Sequence, residues 1–183
     1  MSKIALTPNA SGTGTLTIAA PNTSTDRTLT LPDSTGTVDT LSRAGNVLQV
    51  ISGQYATQSI TTSGTFSDTG LTASITPSST SSKILVMSTI NGTLTTGGSS
   101  GMGMGLRLMR DGSEIQYIEN LICYDGASDS NGAGSSVTYK LDSPASTSSL
   151  TYKIQYNSRA PTAQAYICFA GCVSTMILME IAA

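Results

Sequence analysis

Residues 150–156 read LTYKIQY, and their alternation decides how the rest of the chain is read. Leu150, Tyr152, Ile154 and Tyr156 share one parity, while Thr151, Lys153 and Gln155 share the other. A period of two puts these sets on opposite sides of an extended strand. This is the pattern of an antiparallel strand with one side on a core and one in water. The same reading predicts further strands over 47–55, 57–62, 71–76, 83–90, 104–110, 114–118, 136–142, 163–169 and 173–181. Between two of them, Asp111-Gly112 is a two-residue hairpin signal, for which a type I′ turn is expected. Ten short strands, frequent turn residues and no helical periodicity predict an all-β domain over 46–183. The expected architecture is an antiparallel β-sandwich of jelly-roll type.

Composition supports a folded chain. Hydrophobic residues make up 38% and charged residues 11%, with a net charge of −2. Disordered chains combine low hydrophobicity with high net charge, and this chain has neither. Its nine basic residues are scattered singly, so no patch tracks a phosphate backbone and no nucleic-acid partner is expected. The start, MSKIALTPNA, has no continuous apolar stretch, and nothing approaches the roughly 20 apolar residues of a membrane span. The expectation is a soluble protein made in a cytoplasm, without a membrane partner. Three cysteines, an odd number, suit reduced thiols better than a disulfide framework. Cys168 and Cys172 stand about 13 Å apart if extended, too far to bridge unless Gly171 bends the chain sharply.

Two strands break the one-sided rule. KILVMSTI and STMILMEI are apolar on both parities. In a two-layer sandwich only one side of a strand meets the core, so the other needs a second cover. Met176, Leu178 and Met179 are therefore assigned to an association surface, with a homotrimer or another small ring expected.

Candidate chemistry is sparse. The chain has no histidine, which removes Ser–His and Cys–His dyads and the usual general base near neutral pH. The loop YDGASDSNGAGSS holds Asp125 and Asp129 but lacks the ligand spacing and terminal Glu of an EF-hand. GGSSGMGMG, residues 97–105, lacks the Lys and the following helix of a phosphate loop, and is read as a wide turn or close strand approach. No catalytic, cofactor or metal residues are assigned. Tyr117 and Tyr124 flank a loop, where their rings are candidate receptor or glycan contacts.

Residues 1–45 form a separate unit, an extended arm with short strands. Leu16 and Ile18 alternate with threonines before Pro21, and Leu29 and Leu31 do the same before Pro32. Runs this short are not stable as sheets alone. The stretch GTGTLTIAAPNTSTDRTLTLPDSTGTVDT, residues 12–40, resembles a segment of tail-fibre and other virion-surface proteins of tailed bacteriophages. FSDTGLTASITPSSTSSKILVMSTI, then RLMRDG, then the terminal STMILMEIA, is similar to their β-rich terminal domain. The resemblance implies a trimeric, non-enzymatic β protein of the virion, and it carries over no catalytic residues.

Fibres of that family usually carry a long shaft before such a domain, whereas here it follows about forty-five residues directly. A short arm before a compact knob better resembles a capsid decoration (cement) protein. A short tail fibre or tail-tip protein with a receptor- or glycan-binding end is the alternative. In the first reading the arm adds strands to the major capsid protein or another virion protein. Its contacts would be Leu16, Ile18, Arg27, Leu29, Leu31 and Pro32.

Overall fold

The LTYKIQY stretch lies in β8, Leu150–Ser158, and every second residue from Leu150 is buried. Nine other strands are found among the described residues: β1 Val47–Tyr55, β2 Ser59–Thr61, β3 Ser67–Ile75, β4 Lys83–Thr96, β5 Met102–Arg110, β6 Ser113–Asp125, β7 Gly132–Asp142, β9 Gln164–Ile167 and β10 Ser174–Ile181. The computed structural model describes residues 10–15, 17, 19, 22–26, 28, 43–97, 101–125, 131–160 and 162–183. The chain divides into two units, Met1–Thr37 and Val38–Ala183. In the first, the described residues are exposed and none lies in a strand. Leu16, Ile18, Arg27, Leu29, Leu31 and Pro32 lie outside the described residues.

Two antiparallel sheets form the second unit. In sheet A, β10 lies between β1 and β4, and β7 pairs with β4 over most of its length. Because β7 occupies that edge, β10 and β9 share the other edge of β4, with β2 beyond β9. Sheet B has the order β3-β8-β5-β6. The pairs β1–β10, β3–β8, β4–β7 and β5–β6 are nested in sequence, the innermost being the hairpin.

One core lies between the sheets. Ile84, Val86, Ile90, Met176 and Leu178 of sheet A meet Leu71, Leu106, Leu108, Tyr152 and Ile154 of sheet B. Met176 and Leu178 are 0% exposed and belong to this core. That corrects their assignment to an association surface. Only Met179, on the opposite parity of β10, turns outward.

The sandwich-like body narrows where the sheets meet at their edges. A Cβ on Gly53 of β1 would collide with the carbonyl oxygen of Thr72 in β3. At the other side, a Cβ on Gly132 of β7 would stand 2.5 Å from the Cys123 oxygen of β6. Glycine at these points lets one backbone approach the other.

Four strands run longer than their alternation suggests. β3 starts at Ser67, β4 continues to Thr96, β6 to Asp125, and β7 starts at Gly132. Bulges explain two of the extensions, since register shifts fall between Asp68 and Thr72 in β3 and between Ile90 and Thr93 in β4. Each shift resets the parity, so a period-two pattern breaks off there although the strand continues. The hairpin at Asp111-Gly112 joins β5 and β6 as expected, with Arg110 opposite Ser113. It is not a type I′ turn, because Asp111 has φ 51° while Gly112 stays outside the left-handed region.

Candidate functional site

The outer face of sheet A is the most unusual surface of the molecule. Strand pairing aligns its outward side chains in rows across four strands. One row is Val50, Met179, Leu85 and Leu141, apolar from edge to edge. The next is Ser52, Ile177, Met87 and Tyr139. A third, Gln54, Thr175, Thr89 and Val137, is mostly polar. Tyr139 is 66% exposed, and Val50, Val137 and Leu141 are also exposed. None of the twelve side chains carries a charge at neutral pH.

The outer face of sheet B is the opposite in character. Asp68, Gln155, Arg107 and Tyr117 are aligned across its four strands. Lys153 Nζ and Gln155 Nε2 donate to Asp68 at 2.8 and 2.6 Å, and Arg107 Nε donates to Gln155 Oε1 at 2.9 Å. Arg107 also pairs with Glu114 at 3.0 Å and stacks over the Phe66 ring at 4.3 Å. Partial burial works against the Asp68 charge, but the bonds from Lys153 and Gln155 outweigh it and hold the carboxyl below its ordinary range. These groups satisfy one another beside water, as a solvated face should. Tyr117 packs edge-on against Phe66, with its hydroxyl on Asn120. Tyr117 and Tyr124 are 46% and 52% exposed.

The buried ionisable groups are fastened rather than poised. Glu180 has no exposed surface, yet its carboxylate accepts bonds from Gln49 Nε2 at 2.6 Å and from Ser78 N and Oγ at 2.7 and 2.6 Å. Burial alone would raise its pKa; the donors from Ser78, Gln49 and Ser82 overcome that and lower it to about 2. Tyr152 is pushed well above the usual phenol range, first by burial and then by its bond to Asp142. Among the described residues, no three His, Cys, Asp or Glu side chains converge as a metal site. The loop residue Asp129 lies outside the described residues.

No protein-family model matches this chain, and no curated protein matches it.

The three thiols are free. Gly171 does bend the chain, within a 3-10 turn at Phe169–Gly171, but Cys168 turns inward while Cys172 is exposed. Cys123 is half-buried, and burial raises its pKa. An open groove of about 490 Å³ lies beside the turn, lined by Leu94, Ala133, Phe169, Cys172 and Val173 among others. Gly92 lets the turn lie close against β4: the residue has φ 60°, and a Cβ there would stand 2.6 Å from the Phe169 nitrogen. GGSSGMGMG contributes Gly103 and Gly105 to β5, where side chains of sheet B close over them.

Of the residues assigned to an association surface, Met179 lies on the outward parity of β10; Leu85 and Met87 belong to KILVMSTI, read as apolar on both parities, while Val50, Val137 and Leu141 were not named. The signal was present in SVTYKLD, where Val137, Tyr139 and Leu141 alternate as a second apolar parity.

Proposed function

We propose that this chain is a non-enzymatic structural protein of a tailed-phage virion, a homotrimeric capsid decoration protein made in the host cytoplasm. The observation that carries the reading is the apolar outer face of sheet A. A sheet face with two nearly unbroken hydrophobic rows calls for a protein cover. The body is a jelly roll in this account. The nested pairs β1–β10, β3–β8, β4–β7 and β5–β6 support that, being what a long hairpin rolled into two sheets produces. The resemblance of residues 12–40 and of the knob segments to virion-surface proteins supplies the phage context.

Residues 1–45 are the attachment segment in this reading. Leu16, Ile18, Leu29 and Leu31 alternate with threonine in the sequence and are the apolar anchors in this reading, with the backbone between them adding strands to the partner. Arg27 and Pro32 set register and direction. The partner is the major capsid protein or another virion protein, with no nucleic acid or membrane involved. Removing residues 1–40 should abolish incorporation into particles while the knob stays trimeric. Unchanged incorporation of the truncated protein would contradict the anchoring role.

A short tail fibre or tail-tip protein is the second reading, favoured by exposed Tyr117 and Tyr124 on sheet B, the face left free if sheet A is covered. Binding of purified protein to host polysaccharide, lost in Tyr117→Ala and Tyr124→Ala, would select it. Electron microscopy of intact particles separates a capsid position from a tail position.

A further inference from the structure

We propose that Asn131 is a site of spontaneous covalent modification, where the side-chain amide is lost and the backbone is converted to aspartate and isoaspartate. The inference does not depend on the virion reading.

The sequence offers two places for this chemistry. Asn91 and Asn131 are each followed by glycine, whereas the other asparagines precede Ala, Thr, Val, Leu or Ser. A side chain on the following residue crowds its backbone nitrogen, and glycine has none. In the reaction the Gly132 nitrogen gives up its proton to hydroxide and attacks Asn131 Cγ. A C–N bond forms, the Cγ–Nδ2 bond breaks, and ammonia leaves. Water then opens the cyclic imide, giving aspartate if it attacks Cγ and isoaspartate if it attacks the main-chain carbonyl. Solvent is the only co-reactant.

The fold separates the two places. Asn91 lies in β4, within the bulge between Ile90 and Thr93, and is fastened there on every side. Its Nδ2 donates to the Val173 oxygen at 2.7 Å, its N donates to Ser174 Oγ at 3.0 Å, and its carbonyl accepts from Cys168 N at 2.9 Å. Gly92 is wedged against Phe169, with a would-be Cβ 2.6 Å from that nitrogen. The amide therefore points at Val173 and cannot swing back onto Gly92 N while the turn is in place.

Asn131 has none of these restraints. It is exposed, lies outside any strand, and makes no side-chain hydrogen bond among the described residues. Gly132 is the first residue of β7, and Thr95–Gly132 is the last pair of the β4–β7 ladder. Opening that end disturbs little else, and strand ends open at far lower cost than strand interiors. The product adds a negative charge to a chain whose net charge is −2, and the isoaspartate form lengthens the main chain just before β7 meets the Cys123 backbone of β6.

The test is incubation of the pure folded protein at mildly alkaline pH, followed by tryptic mapping of peptides 84–107 and 111–140, which hold Asn91 and Asn131. Fragmentation locates the amide-to-acid mass change. Conversion at Asn131 is expected to exceed that at Asn91 by more than about tenfold when the chain is folded, and to match it in urea. Asn131→Gln should abolish the acidic species that builds up on isoelectric focusing. No conversion at Asn131 in the folded chain overturns the proposal, as does equal conversion of Asn91. A difference that persists in urea, or an acidic species that survives in Asn131→Gln, also contradicts it.

Discussion

Tyr152 Oη donates to Asp142 Oδ2 at 2.7 Å, tying the middle of sheet B to the last residue of β7 in sheet A. Arg110 Nη1 reaches the same oxygen at 2.6 Å, so one carboxylate holds three strands. Tyr152→Phe removes one bond and leaves the ion pair, and should lower unfolding free energy by about 1 kcal/mol. Asp142→Ala strands both partners. Its cost should be about 3 kcal/mol, the low end for a buried pair, because Arg110 keeps a quarter of its side chain exposed. Urea unfolding of the two variants checks the order; equal effects would show that the carboxylate does not join the sheets.

Glu180 makes stability depend on acid. Its folded pKa of about 2 lies below the ordinary carboxylate value of 4.5. The stabilisation is therefore complete above about pH 4.5 and is lost as pH falls toward 2, amounting to roughly 3 kcal/mol. Glu180→Gln should be less stable than the parent at pH 7, with the gap narrowing through that window. A gap independent of pH would assign the effect to packing instead.

Thr138 Oγ1 is buried in β7 without a hydrogen-bond partner among the described residues. An unpaired buried hydroxyl costs free energy that a methyl group of the same size does not. Thr138→Val should leave the fold intact and raise the unfolding free energy by up to about 1 kcal/mol, seen as a higher urea midpoint. A lowered midpoint would mean that the hydroxyl has a partner in solution.

Gly53 and Gly132 mark the close approaches at the two sides of the body. Gly53→Ala sets a methyl against the Thr72 backbone, and Gly132→Ala sets one against Cys123. Each should destabilise by about 1–3 kcal/mol, as overpacking does. Gly112→Ala, with nothing within 4 Å of the added atom, is the control and should be nearly neutral. Equal effects at all three sites would contradict the close approach.

Much of the fold was legible because alternation is a local property. LTYKIQY announced β8, and DG announced the β5–β6 hairpin, from residues adjacent in sequence. Bulges were less visible: the shift after Ile90 makes one long β4 look like a strand that stops. The faces of β10 were hardest to assign, because both parities of STMILMEI are apolar. Glu180 shares its parity with Met176 and Leu178, and a carboxylate ordinarily marks the wet side of a strand. Here it faces inward because Gln49, Ser78 and Ser82, far away in sequence, supply its donors. Likewise, the apolar rows of sheet A exist only once β1, β10, β4 and β7 lie side by side in register.

The central claim of the proposed function is a homotrimer in which the outer face of sheet A is covered. Sedimentation equilibrium of the parent protein beside Leu85→Lys tests it most directly, since Leu85 sits in the middle of the apolar row but outside the core. The account predicts three chains of 18.7 kDa for the parent and one for the variant, with the same circular dichroism spectrum for both. A parent protein that sediments as a single folded chain at micromolar concentration would contradict it.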